Sequence, residues 1–367
     1  MRLTIVGPAF PLRGGIAHHV YWLKRELIVR GHAVQVVSFR RLYPAILFPG
    51  KTTTDTSQLK LDAGAEPILD PLNPVTWIRA ARAIRGFNPD AALVQWWNPL
   101  FAPLSGTLIR LLKRRGIACI VECHNVLPHE RSPLDRPLLR YAFSPVSRFI
   151  THSKADREEL LNTFGEKDVT VASLPALGEF SSRGDKVRGG HTMLFFGIVR
   201  KYKGLDVLLR AMPKVLSEIE CDLMIAGEFY DSVEKYRELI SSLGLERHVR
   251  IDNRYVPNEE VPALFKRADV LVLPYLSATQ SGVAGIAQAN ALPIIASSAG
   301  GLAEVVEEKV SGLLFPPGDS DALAERIVYF FKENLGPAFG ANMRSGAGKT
   351  AGNNLADVLE GMLAPRS

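Results

Sequence analysis

The chain has 367 residues, 47% hydrophobic and 22% charged, which excludes a low-complexity or disordered polypeptide and suits two α/β domains. No apolar run approaches the ~20 residues of a membrane span, and no secretory leader is expected, because Met1-Arg2-Leu3-Thr4-Ile5-Val6 runs straight into a strand-like segment. The net charge of +6 is one-sided: residues 1–180 hold 23 Lys and Arg against 15 Asp and Glu, and the remainder holds 21 against 23. That excess points to an anionic partner of the N-terminal half, such as a phospholipid surface, a lipid pyrophosphate or an anionic glycan. For any one cluster, such as Arg110, Lys113, Arg114 and Arg115, a solvated helix face is the plainer reading. Nucleic acid is not indicated, since no helix-turn-helix, zinc or RNA-binding motif accompanies the charge. Three cysteines, Cys119, Cys123 and Cys221, lack metal-ligand spacing and fit a reducing cytoplasm. Cys119, within the apolar run Ile117–Val121, reads as a buried thiol.

In chain order, Leu3–Val6 is strand-like, Gly15–Arg30 is an amphipathic helix stopped by Gly31, and Ala33–Phe39 is a strand. Asn73 can cap a helix with Pro74 at its first position, running to about Gly86. Ala91–Gln95, Ile117–Val121 and Arg148–Thr151 read as buried strands with helices between, the rhythm of a parallel sheet. Leu174 to Gly190, with Pro175, Gly178, Gly184, Gly189 and Gly190, is the predicted linker. The rhythm then restarts with strands at Met193–Gly197, Cys221–Ala226, Val249–Ile251, Val270–Leu273, Pro293–Ala296 and Leu313–Phe315, and helices such as Asp206–Leu216 and Glu259–Lys266. After Asn334 only Asn354–Leu363 looks helical. The expected division is 1–180, 181–345 and a tail, 346–367, that can return to the N-terminal domain. Right-handed crossovers make each series a doubly wound sheet, and ligands bind such sheets at the carboxyl ends of their strands.

Three stretches carry chemistry. In Phe196-Gly197-Ile198-Val199-Arg200-Lys201-Tyr202-Lys203-Gly204, three cations lie between a strand end and a helix start, where they can hold a diphosphate. In Ala278-Thr279-Gln280-Ser281-Gly282-Val283, a helix opens near Ser281 after the strand Val270–Leu273 and Pro274. Its free amides, with Gly allowing close approach, suit a phosphate, although capping alone explains many Ser-Gly turns. Gly14-Gly15-Ile16-Ala17-His18-His19 opens the first helix. Around these stand Ala226-Gly227-Glu228, Asp252-Asn253-Arg254-Tyr255-Val256-Pro257, Ala299-Gly300-Gly301 with Glu304, and Ser311-Gly312-Leu313-Leu314-Phe315-Pro316-Pro317-Gly318.

As an ordered set over about 192–330, these motifs resemble the donor domain of the retaining glycosyltransferases of family four (group 1). The N-terminal half agrees at the Gly14-Gly15 loop, at His124 after the strand Ile117–Val121, and at Ser153 opening a helix. The resemblance implies the GT-B fold: α/β, two doubly wound Rossmann-like parallel-sheet domains facing across a cleft. It implies transfer of a sugar from a nucleoside diphosphate sugar to a glycan or lipid-linked acceptor with retention, as in polysaccharide or lipopolysaccharide biosynthesis. It implies neither cofactor nor metal, since cations and helix amides neutralise the diphosphate. By the same resemblance His124 lies over the transferred sugar, Lys203 holds the diphosphate, and Arg200 substitutes for an arginine whose usual place is taken by Ile198. Gly14 and Gly15 pass the donor phosphate, Tyr255 and Val256 meet the base through backbone groups, and Ser281, Gly282 and Val283 form the phosphate-facing helix start. The family's pair of glutamates spanning this helix is here Gln280, expected at the sugar, and Gln288, expected at the ribose. Glutamine accepts hydroxyl hydrogen bonds without charge assistance.

Plainer readings stand beside these: Gln288 as a buried satisfied amide, His18 and His19 as helix surface, His124 as a strand-end cap. Trp96 and Trp97 suit either acceptor stacking or core packing, and Glu228 and Glu304 either site or scaffold. The competing functions are a sugar-nucleotide epimerase or hydrolase, which needs acid–base carboxylates that the glutamines do not supply, and a non-catalytic nucleotide- or glycan-binding protein. A dinucleotide oxidoreductase is disfavoured, because Gly7-Pro8-Ala9-Phe10-Pro11 lacks the glycine spacing of that fingerprint. The expected location is the cytoplasm, with an anionic inner membrane face as a candidate surface for the mixed apolar and basic stretch Leu104–Arg115.

Overall fold

The computed structural model describes residues 1–43, 52–128, 132–174, 178–181, 190–346 and 354–364. The chain divides into two compact units. Met1–Thr56, Lys60–Leu174 and Gly352–Ser367 form the first; Ser57–Leu59 and Pro175–Ala351 form the second. Most of the predicted linker, Leu174–Gly190, lies outside the described residues.

The first unit is a parallel sheet of β1 (Arg2–Val6), β2 (Ala33–Phe39), β3 (Glu66–Leu69), β4 (Ala91–Trp96), β5 (Ala118–Cys123), β6 (Arg148–Thr151) and β7 (Asp168–Val171), in the order β3-β2-β1-β4-β5-β6-β7. The edge strands β3 and β7 are additions to the sequence reading. Pro67 in β3 costs an edge strand little. The helices are α1 (Gly15–Val29), α2 (Pro74–Phe87), α3 (Ala102–Lys113), α4 (Asp135–Phe143) and α5 (Lys154–Phe164). α2 starts as its sequence dictates, with the Asn73 side chain accepting from Val75 N and Pro74 in the first turn. α2, α3 and α4 pack side by side. The apolar part of Leu104–Arg115 is not available to a membrane: Leu104, Leu108, Ile109 and Leu112 are buried in the core beneath α3, and only its basic end is exposed.

The second unit is a parallel sheet of β8 (Thr192–Phe196), β9 (Asp222–Ala226), β10 (Val249–Asp252), β11 (Val270–Leu273), β12 (Ile294–Ser297) and β13 (Gly312–Phe315), in the order β10-β9-β8-β11-β12-β13. Its helices are α6 (Leu205–Leu216), α7 (Val233–Ser242), α8 (Val261–Arg267), α9 (Gly282–Ala289), α10 (Leu302–Val305), α11 (Ser320–Lys332) and α12 (Gly336–Ser345). α12 corrects the reading that only the last segment after Asn334 is helical. Gly336, Gly340 and Ser345 are weak helix formers, but Pro337 is tolerated in the first turn and Phe339 joins the core. Ser57–Leu59 lodge here through Asn258: its backbone N–H donates to Ser57 Oγ (2.9 Å) and its Nδ2 to Leu59 O (3.1 Å).

The last helix, α13 (Leu355–Leu363), belongs to the first unit. It packs on α1, with Glu360 Oε1 2.7 Å from His32 Nε2 and Met362 O accepting from Arg148 (2.6 Å).

In each sheet the chain order reverses at one place, between β1 and β4 and between β8 and β11. Loops diverge there, leaving a crevice at the carboxyl ends of the strands.

Candidate functional site

At the first switch point, polar residues end strands that are otherwise apolar. Gln95 is the next-to-last residue of β4, Glu122 that of β5, and His124 and His152 follow β5 and β6. Glu122 is fully buried. Its Oε1 lies 2.7 Å from His19 Nε2 and accepts from His152 Nε2 (3.0 Å), and its Oε2 accepts from Gln95 Nε2 (2.6 Å). His152 Nδ1 donates to Ala172 O (2.9 Å), and Gln95 Oε1 is 2.6 Å from His124 Nε2. Burial alone would raise the Glu122 pKa, but His19 and His152 outweigh it and hold the carboxyl well below its ordinary range. Burial lowers the His152 pKa, yet Glu122 raises it above the ordinary value. Burial and the neighbouring His19 push His124 well below.

One ligand-capable atom from each of His19, Glu122, His124 and His152 lies within 4.8 Å of the others, a grouping that can hold a cation. Glu122, however, already accepts hydrogen bonds from His152 and Gln95, so a metal must first displace protons from that network.

Gly14, in a left-handed conformation (φ 126°), and Gly15 open α1 with nothing within 4 Å of where a Cβ would stand. Their amides start the helix without a side-chain cap. Ser153 caps α5, accepting from Asp156 N (3.1 Å) while its hydroxyl donates to Asp156 Oδ2 (2.7 Å).

At the second switch point, Lys203 is buried (8% exposed), its Nζ 5.3 Å from the centre of the Tyr275 ring. A Cβ on Gly197 would lie 3.2 Å from Lys203 Nζ and 3.4 Å from Val283 Cγ2. Lys203 and the start of α9 thus meet across Gly197, which sits at φ 100° after β8. Ser281 caps α9, accepting from Ala284 N (3.4 Å). Gly282 has open space where a Cβ would stand. Gly204 permits the tight turn: at φ 63°, a Cβ there would come within 2.0 Å of Pro274 O. Burial pushes the Lys203 pKa down, Tyr202 opposing it.

The remaining expected residues are spread around this start. Arg200 is exposed and lies over the Tyr230 ring (4.9 Å), and its charge adds to the lowering of the Lys203 pKa. Val256 is buried and Tyr255 half-buried after β10. Gln280 is half-buried, and Gln288 Nε2 donates to Val305 O (3.4 Å).

Other readings are now decided. His19 is not helix surface, because it is 5% exposed against Glu122. Trp96 is core, with its ring 4.8 Å from Phe143 and Nε1 donating to Val126 O. Trp97 is half-buried on Phe101, and Cys119 is an inert thiol, its pKa pushed up to about 12 by burial. Glu228 is buried, and its backbone carbonyl accepts from Val199 N; Glu304 is half-buried. Sequence reasoning missed Gln95, Glu122 and His152. Their signal was polarity at the carboxyl ends of apolar strands. Two surface hollows of about 410 and 450 Å³ lie elsewhere, lined by β7 with α13 and by α4 with α5, and touch none of the expected residues.

Comparison with known proteins agrees with this architecture. Residues 190–333 match the family model of the glycosyl transferases group 1, and residues 13–174 that of glycosyltransferase family 4. A D-inositol 3-phosphate glycosyltransferase 1 from Catenulispora acidiphila is 30% identical over 293 residues, covering 71% of this chain and 69% of the relative. An uncharacterized glycosyltransferase from Methanocaldococcus jannaschii is 35% identical over 132 residues, 36% of this chain and only 33% of its own length. Among solved structures, Anabaena HepE in complex with UDP superposes with a TM-score of 0.73 at 16% identity, over 99% of this chain and 98% of its own. Sucrose-phosphate synthase from Thermosynechococcus elongatus gives 0.72 at 17% identity, over 99% and 97%. With two parallel Rossmann-like sheets and both family regions in place, the chain belongs to the GT-B glycosyltransferases.

Proposed function

We propose that the protein transfers a sugar from a nucleoside diphosphate sugar to a glycan or lipid-linked acceptor, with retention at the anomeric carbon. The observation that carries this reading is Lys203: a buried cation, without a carboxylate partner among the described residues, beside Gly197 and the start of α9. A buried charge is costly unless something pairs it, and a diphosphate is the complement of an ammonium beside helix amides. The structural relative HepE is described in complex with UDP, with UDP and glucose, and with UDP-glucose, which supports the same donor class here.

In this reading Lys203 and the amides of Gly282 and Val283 stabilise charge that grows on the diphosphate as the glycosidic bond breaks. Arg200 swings from Tyr230 to assist, and Ser281 keeps the helix start in place. Tyr255 and Val256 hold the base, Gln280 a sugar hydroxyl, Gln288 a ribose hydroxyl, His124 the transferred sugar, and Gly14 with Gly15 the donor phosphate. The leaving diphosphate accepts the acceptor's proton, so neither an enzymic carboxylate nucleophile nor a metal is assigned. The test is a panel of UDP-, GDP- and ADP-sugars. Release of nucleoside diphosphate with a product of unchanged anomeric configuration is expected. An inverted product removes retention, and a folded protein that binds a donor but neither transfers nor hydrolyses it is a binding module.

The acceptor side is proposed to be a peripheral face on an anionic membrane. On α2, α3 and α4 the exposed cations Arg79, Arg82, Arg85, Lys113, Arg136 and Arg140 have no carboxylate partner among the described residues, and the single acid of these helices, Asp135, is buried. Leu72, Val75, Ile78, Leu100 and Leu134, 45–68% exposed, stand at or near the amino-terminal ends of the same helices. Apolar residues beside unpaired cations are the composition of an interfacial surface.

A further inference from the structure

The buried cation of the second unit has a neighbour that the donor reading leaves without a task. Tyr275 follows β11 and Pro274 and is 2% exposed. Lys203 Nζ stands 5.3 Å from the centre of its ring, within the reach of a cation–π contact, which strengthens where water is excluded. No carboxylate meets Lys203 among the described residues, so the aromatic face is what offsets part of its desolvation.

The two loops that carry the pair are locked together. Lys203 ends a short turn, Lys201–Lys203, after β8. Leu276 N donates to Tyr202 O (2.7 Å), and Ser297 Oγ donates to Tyr275 O (2.5 Å). Gly204 closes the turn against Pro274 O, as its missing Cβ requires. The Tyr202 ring meets the Tyr275 ring edge to face, with 6.0 Å between centroids. Residues 202–204 and 274–276 therefore move as one piece, and the ammonium they carry borders Gly197, across which lies Val283 of α9. The Tyr275 hydroxyl is buried and makes no aligned hydrogen bond among the described residues. Burial keeps it neutral, pushing its pKa up to about 12 against the neighbouring Ser281. The ring, rather than the hydroxyl, is the part that acts on Lys203.

We propose that Tyr275 is a positioning residue of the donor site, whose ring face holds the Lys203 ammonium beside Gly197 and the start of α9 before a diphosphate arrives. A lysine fixed in advance has less rotamer freedom to lose on binding. The inference rests on the donor role of Lys203 and adds the residue that aims it.

The experiment is calorimetric titration of the full chain with UDP, GDP and ADP, the tightest of the three being carried through the variants. Tyr275→Leu should weaken its binding about tenfold, whereas Tyr275→Phe, which keeps the ring, should stay within about twofold of the native protein. In the Lys203→Met background, Tyr275→Leu should add no further loss, because the ring acts only through the ammonium. A side chain that merely packs the core would give equal losses in both backgrounds. Tyr275→3,4,5-trifluorophenylalanine keeps the packing and weakens the negative face of the ring, so it decides the matter even where Tyr275→Leu does not fold. It should bind several-fold more weakly than Tyr275→Phe. Losses that add across the two backgrounds, equal affinities of the plain and fluorinated rings, or a complex that is unchanged or tighter without the ring each overturn the inference. If Lys203→Met itself leaves affinity unchanged, or the native protein binds none of the three nucleotides, the error lies in the proposed function.

Discussion

Each unit buries a charge at the switch point of its sheet, and the two are treated oppositely. Glu122 accepts hydrogen bonds from β4 and from the residue following β6 and lies beside His19 of α1, so its desolvation is offset inside the protein. Lys203 has an aromatic face and two neighbouring positive or phenolic groups, Arg200 and Tyr202, but no anion among the described residues. A charge compensated at home builds the fold and orients what it touches. A charge left uncompensated beside a helix start is poised for a ligand.

The largest expected effect comes from breaking the compensated charge. Glu122→Leu leaves His152 and Gln95 without an acceptor and His19 without its neighbouring carboxylate, and removing one partner of a buried pair costs roughly 3–5 kcal/mol. Urea unfolding measures this, and a loss below about 1 kcal/mol would show that the network is not the support argued here. The pH dependence sharpens the point. The Glu122 pKa is depressed, so its contribution is present above the ordinary carboxylate value of 4.5 and lost as pH falls through the folded pKa. The His152 pKa is raised, so its contribution is complete below 6.5 and lost as pH rises through the folded pKa. Both are present between those values, with His19, His124 and Asp156 the other titratable groups around them. The stability difference between the native protein and Glu122→Gln should therefore peak between pH 4.5 and 6.5 and shrink on either side; a flat difference contradicts the pairing.

The helical surfaces differ in the same way. In the second unit, cations meet carboxylates: Lys214 with Glu325 (3.0 Å), Lys235 with Asp231 (2.9 Å), Arg237 with Glu234 (2.8 Å) and Lys332 with Glu218 (2.6 Å). Among the described residues, those of α2 to α4 do not. Replacing Arg79, Arg82 and Arg85 together by Gln should weaken binding to vesicles containing an anionic lipid by up to about 3 kcal/mol, at ~1 kcal/mol per basic residue near the surface. Replacing Arg237, Arg250 and Lys332 instead should leave binding intact. Equal losses from the two triplets, or no binding by the native protein at low salt, would refute a specific face.

For the uncompensated charge the signs separate. Lys203→Met should hold or raise stability, since it removes an unpaired buried cation. It should also weaken nucleoside diphosphate binding by about 1.5–3 kcal/mol, the range for a hydrogen bond to a charged group. Calorimetry and thermal unfolding on one sample decide it, and unchanged affinity removes Lys203 from the donor site.

What the sequence disclosed depends on how local the cause is. Two parallel sheets, their central strands and the start of α9 were legible, because apolar runs, Ser281 and Gly282 act within a few residues. The edge strands β3 and β7 were not: Pro67 argues against a strand at β3, and β7 buries none of its residues fully. α12 was missed because tertiary burial of Phe339 overrides three weak helix formers. The Glu122 network was missed for another reason: His19, Gln95, Glu122 and His152 are dozens of residues apart and meet only through sheet order. The strand-to-helix loop that carries Lys203 was legible, but the burial of Lys203 and the seating of Arg200 over Tyr230 were not.

The smallest expected effect concerns Gln288, which stands where the family resemblance implies a glutamate. Its Nε2 donates to Val305 O at 3.4 Å, a long and weak bond that nevertheless orients the amide with its oxygen turned away from that carbonyl. In the proposed site this oxygen accepts from a ribose hydroxyl. Gln288→Glu removes the donor to Val305 and sets a carboxylate oxygen near a carbonyl, a loss of at most about 1 kcal/mol of stability for a half-buried, long hydrogen bond. In return the ribose contact becomes charge-assisted, worth about 1.5–3 kcal/mol against 0.5–1.5 for a neutral pair. The net gain in nucleoside diphosphate affinity should be near 1 kcal/mol, roughly fivefold. Coupling to the hydroxyl is the decisive part: with a 2′- or 3′-deoxy nucleoside diphosphate lacking the contacted group, the variant should lose its advantage and bind no better than the native protein. If the gain persists with both deoxy analogues, the added charge acts at long range and Gln288 does not hold the ribose. If Gln288→Glu binds every analogue more weakly, the amide's bond to Val305 is its main role, and the glutamine is scaffold rather than a donor contact.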